Sequence, residues 1–138
     1  SKAKRYFTTT VKSIGKAEMP RLAEGSKFVT HATALANTND TDVYIVPKNF
    51  SSHVEHLLIT NSDASNRNYT IKYYEKAANT TYTLFTAHAV TGKGSESVFT
   101  VDKPLYLHAE DKIIVAAGTA DTLTVVVAAE EFFDPAHT

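Results

Sequence analysis

From about Phe28 onward the chain alternates short runs rich in Val, Ile, Thr, Tyr and Phe with clusters of turn-forming residues, the pattern of β-strands joined by short loops. The runs are Phe28 to Ala36, Asp42 to Val46, His53 to Thr60, Tyr69 to Glu75, Thr80 to Val90, Ser95 to Val101, Pro104 to Ala109, Asp111 to Gly118 and Asp121 to Phe132. Pro47, Asn49, Ser51 and Ser52 punctuate the second and third, and the polar stretch from Asn61 to Asn68 separates the third and fourth. Tyr69, Ile71 and Tyr73 share one side of a strand, with Thr70, Lys72 and Tyr74 on the other. Leu123, Val125 and Val127 form one inward face of the last run, and Val126 on the opposite face implies cover on both sides. The turn Thr91, Gly92, Lys93, Gly94 predicts a hairpin between the runs that flank it. Period-two alternation selects Val46, Leu58, Ile71, Leu84, Leu107, Ile113, Val115 and Val125 as core residues.

Eight or nine strands at this spacing predict an all-β antiparallel β-sandwich, Ig-like or jelly-roll-like, spanning residues 27–138. Residues 1–26 break the pattern: they mix basic residues with Tyr6, Phe7, Val11, Ile14, Met19 and Leu22 without a clear period. That combination predicts an extended N-terminal arm that orders on a neighbour, an edge strand on its own sheet being the alternative. Pro20 to Glu24 is the one place where a helical turn is expected.

At 138 residues, with 43% apolar and 21% charged residues, the chain has the size and balance of one soluble domain. No run approaches the roughly 18 apolar residues of a membrane helix, and the N-terminus has no signal-peptide centre, so no membrane partner is expected. The absence of cysteine rules out disulfides and thiolate metal sites in this sequence and fits folding in a reducing cytoplasm. Net charge is −1, but Lys2, Lys4, Arg5, Lys12, Lys16 and Arg21 make the start basic, while Glu130, Glu131 and Asp134 make the end acidic. Lys2, Lys4, Arg5 and Tyr6 could meet a phosphate backbone and stack on a base, yet no basic stripe follows, so a nucleic-acid partner is not expected.

Six histidines require a search for chemistry. In His53-Val54-Glu55-His56, a regular strand points His53 and Glu55 to one face and His56 to the other, so the two imidazoles cannot share a metal. His31, His88 and His108 fall on separate strands, and Glu110 with Asp111 or Glu130 with Glu131 are neighbours facing opposite ways. Gly92-Lys93-Gly94-Ser95 lacks the spacing of a phosphate loop. These readings predict no catalytic residues, no metal and no organic cofactor. Exposed Tyr73, Tyr74 and Tyr82 would suit sugar binding.

The stretches Tyr44 to Lys76 and Asp102 to Phe132 resemble a loose group of small tailed-bacteriophage virion accessory proteins. The resemblance rests on Pro47, Asn61, Leu105 with Leu107, Asp111 with Ile113, and Val125 with Val127. It departs at Glu110, where a glycine is expected before the aspartate, and in the long arm. It implies a structural protein of the virion, made in the host cytoplasm, that decorates or stabilises the capsid, neck or tail. Its partners would be other phage structural proteins, in a homo-oligomer or multi-copy assembly. The expected interface residues are Lys2, Lys4, Arg5, Tyr6, Phe7 and Val11 of the arm, with Phe132 and Phe133 at the other end. A carbohydrate-binding or host-recognition module on the virion is the alternative.

Overall fold

The computed structural model describes residues 26–135. Nine strands form there: β1 (Ser26–Ala34), β2 (Thr41–Ile45), β3 (Phe50–Asn61), β4 (Arg67–Glu75), β5 (Thr80–Val90), β6 (Ser95–Phe99), β7 (Leu105–Leu107), β8 (Lys112–Ala117) and β9 (Leu123–Phe133). Each overlaps one of the β-like runs of the sequence, because those runs bury one face and leave polar groups on the other; β3 starts earlier than expected, so Ser51 and Ser52, read as loop residues, belong to the strand. The expected helical turn at Pro20 to Glu24 lies outside the described residues, as do Lys2, Lys4, Arg5, Tyr6, Phe7 and Val11.

Two antiparallel sheets pack face to face. One runs β1-β9-β3-β6, with β7 also on β3; the other runs β2-β8-β4-β5. The pairs β1–β9, β2–β8, β3 with β6 and β7, and β4–β5 are nested, as in one long hairpin whose tip joins β4 to β5. Rolling that hairpin until β9 also meets β3 and β8 also meets β4 produces a jelly roll. The all-β sandwich is therefore the observed architecture, in its jelly-roll form. Ser26 already belongs to β1, so the sandwich begins at the residue where the arm was expected to end.

The hairpin expected around Gly92 does not form. β5 pairs with β4 in one sheet and β6 with β3 in the other, so the glycine turn carries the chain between sheets. Local turn chemistry is the same in both cases; what differs is the docking of the turn on residues 61–65. Lys93 N donates to Asp63 O, and the Asn61 amide donates to Ser65 O and Val90 O. Gly92 permits this approach, since a Cβ there would lie 2.0 Å from the Ala64 carbonyl oxygen.

The core lies between the sheets. Val46, Ile71, Leu107, Ile113, Val115 and Val125 are buried as expected, joined by Val54, Leu57, Ile59, Tyr69, Leu123 and Val127. Each fully buried aliphatic side chain contributes about 1.5–3 kcal/mol of transfer free energy. Leu58 and Leu84, also expected in the core, are not there: Leu58 is half-buried and Leu84 is 40% exposed. Both errors come from strand irregularities, one in each sheet. A bulge between Val54 and His56 inserts a residue, so the inward positions of β3 pass from Val54 to Leu57 and Ile59. A register shift between Ile71 and Lys72 leaves Leu84 without a partner, and Phe85 takes the place opposite buried Ile71.

Candidate functional site

The β3 bulge also shapes the outer face of its sheet. Across the strands the register aligns Phe28 of β1 with Glu130 of β9, Glu130 with His53 of β3, and His53 with Tyr106 of β7. Val54 and Leu57 both point inward, so Glu55 and His56 between them both belong to the outer side. The strict alternation expected for this stretch, with His56 opposite His53, is thus overturned by the inserted residue. His56 nevertheless does not join His53, because its Nε2 is hydrogen-bonded to Ser97 Oγ at 3.1 Å.

Glu55 has no partner across the ladder with β9, and the bulge directs its carboxylate toward its neighbours. A ring nitrogen of His53 and one carboxylate oxygen each from Glu55 and Glu130 lie within 4.8 Å of one another. Glu130 accepts a hydrogen bond from Ser26 Oγ at 2.9 Å. The Tyr106 ring stacks on His53, with centroids 4.6 Å apart and planes inclined by 20°, and is itself 69% exposed. Beneath it His53 Nε2 is buried and has no hydrogen-bond partner among the described residues. The sequence signal for this group was half visible in His53 and Glu55; its third member needed the β3–β9 register.

A second polar cluster faces inward at the same end of the sandwich. Glu131 is buried on the core side of β9, its Oε2 accepting from the Tyr44 hydroxyl at 2.6 Å, with Ser52 Oγ 2.8 Å from the same hydroxyl. Lys27 Nζ lies 3.7 Å from Glu131 Oε1 and 5.1 Å from the centre of the Phe50 ring. Burial first, and then the hydrogen bond to Glu131, push the Tyr44 hydroxyl far above the ordinary tyrosine value. A hydroxyl held neutral in this way donates to a carboxylate and does not act as a base. Asp111 plays a similar part at the β7–β8 turn, accepting from the backbone of Lys76 and His108 and from the Tyr73 hydroxyl.

Of the expected interface residues, Phe132 and Phe133 are described. Phe132 is half-buried, and Phe133 is 55% exposed, edge-on to Phe50 at 5.6 Å. Asp134 N donates to Asn49 O at 2.6 Å and Ser51 Oγ to Asp134 Oδ2 at 2.9 Å, which ties this end of β9 to the start of β3. Of the tyrosines considered for sugar binding, Tyr73 and Tyr82 stack on each other at 6.0 Å, and Tyr74 donates to Asn79.

The fold and these clusters define a jelly-roll β-sandwich with a half-buried His/Glu/Glu group on one outer face. No protein-family model matches the chain, and no curated protein matches it. A solved structure of Bacillus endospore appendages, described as forming disulfide-linked pili, aligns with 86% of this chain and 99% of that one, at 11% identity and a TM-score of 0.44.

Proposed function

We propose that this chain is a non-enzymatic structural subunit of a bacteriophage particle, docking on other subunits through its sheet edges and its N-terminal arm. The phage setting rests on the resemblance carried by Pro47, Asn61, Asp111 and their neighbours. The subunit role rests on one observation, the unprotected edge strand β5. It runs from Thr80 to Val90 without a single Lys, Arg, Asp, Glu or Pro, and leaves Tyr82 and Leu84 exposed. Natural sheets guard such edges with charge, proline, short length or bulges, because a row of free backbone groups beside apolar side chains recruits another strand; of these guards β5 has only the last, at Ala87 and Leu84, and Thr80 to Thr83 stays regular. A strand of a second copy or of a neighbouring subunit fits that edge. β1, one edge of the other sheet, adds the exposed Phe28.

Size-exclusion chromatography with light scattering on the full chain tests the subunit role: mass should rise with concentration, and Leu84→Lys should lower it without lowering thermal stability. A chain that stays monomeric and binds no particle would sink the proposal. Co-sedimentation with phage particles from cells making the chain tests the setting, and assembly without particle association would remove the phage while leaving the subunit. The glycan-binding alternative draws on the exposed Tyr106 ring and on the use of jelly rolls in lectins. Saturable glycan binding lost in Tyr106→Ala would favour it.

A further inference from the structure

His53, Glu55 and Glu130 combine the donors that borderline divalent ions take: one imidazole nitrogen and two carboxylate oxygens. We propose that these three side chains bind one divalent transition-metal ion, with zinc the best match. The three ligand atoms lie within 4.8 Å of one another. Zinc–ligand bonds of about 2.0–2.2 Å in tetrahedral geometry place neighbouring ligands roughly 3.4 Å apart, so closing the set requires only a modest turn of the two flexible glutamates.

Four further observations bear on the site. Among the described residues His53 Nε2 is buried without a partner, a costly arrangement for a polar atom. Among the described residues no ion pair reaches Glu55 or Glu130, so two carboxylates share a half-buried face with no cation to balance them. The ligands are held from outside: Ser26 Oγ fixes Glu130, and the stacked Tyr106 fixes the His53 ring plane. Finally, the platform consists of adjacent strands β3 and β9 in the middle of a sheet, and the bulge that places Glu55 belongs to it. Three protein ligands leave the fourth tetrahedral position to water. Bound zinc would clamp β3 to β9 and, through Ser26, to β1.

The test uses the full chain without a histidine tag, stripped with a chelator, and zinc chloride as the probe. Calorimetry should show one ion per chain, and thermal unfolding should shift upward by several degrees at saturating zinc and return with EDTA. His53→Gln and Glu130→Gln should each weaken binding at least about tenfold and abolish the shift, while His88→Gln behaves as wild type. Glu55→Gln provides the same test should His53→Gln fail to fold, since its side chain stands at an unpaired bulge position. Absence of zinc binding, binding unaltered in these ligand variants, or an equal shift with magnesium would overturn the proposal.

Discussion

Glu110 adopts φ 68°, the left-handed region that glycine enters without steric cost. Its side chain reaches Lys76 Nζ at 3.5 Å, but both groups are well exposed, so that ion pair contributes little. Glu110→Gly should therefore stabilise the domain by about 0.5–1 kcal/mol, the left-handed penalty removed less the chain entropy added; urea unfolding checks it, and a clear loss of stability would show that the Lys76 pair matters more than the strain. Tyrosines set the alkaline limit. Tyr73 is pushed up to about 12 by burial and then by Asp111, against an ordinary value of 10.0, and Tyr44 shifts in the same direction. Between those values the unfolded chain has released protons that the folded chain still holds, so stability is fully present below pH 10 and falls as pH rises toward 12. Urea midpoints measured across that range should decline, and Tyr73→Phe should flatten the decline. Tyr44→Phe should cost about 1–3 kcal/mol even at neutral pH, because it leaves the buried Glu131 carboxylate short of a donor.

Strand β3 carries the main lesson at the scale of elements. Leu57 and Leu58 are neighbours with equal side chains, and only the bulge decides which one is core. Leu57→Ala should cost about 2–5 kcal/mol and Leu58→Ala distinctly less, as read by chemical denaturation; equal losses would mean that the bulge is misplaced. The strands themselves were legible from alternation and turn residues, down to the limits of β5. The bulges were not, because an inserted residue leaves the local composition of a strand unchanged while reversing the faces beyond it. The missed cores at Leu58 and Leu84 are consequences of this one blindness, whereas Glu130 was missed because its pairing with His53 depends on strand order. The turn at Gly92 shows another side of it: two glycines mark a reversal, but contact with the Ala64 carbonyl makes it a crossover between sheets.

For the molecule as a whole, the open question is what covers its edges. The jelly roll closes β3, β4, β8 and β9 inside the sheets and leaves β1 and β5 at two of the margins. If the arm supplies contacts between subunits, Tyr6→Ala with Phe7→Ala should reduce assembly in light scattering while the melting temperature of the domain stays nearly constant. Unfolding of the isolated domain by that double change would instead place the arm on its own sandwich, as an added strand.

The sequence by itself determined the all-β class, the number and approximate limits of the strands, and six of the eight core positions, Val46, Ile71, Leu107, Ile113, Val115 and Val125. These follow from local physics, namely side chains alternating across a strand and turn residues breaking it. Tertiary structure alone decided the jelly-roll order, the crossing at Gly92, the inward turn of Glu131 toward Tyr44 and the meeting of Glu130 with His53 and Glu55. Each depends on which strand lies beside which and in what register, and residues such as His53 and Glu130, far apart in the chain, carry no local sign of the distance that will separate them in the fold.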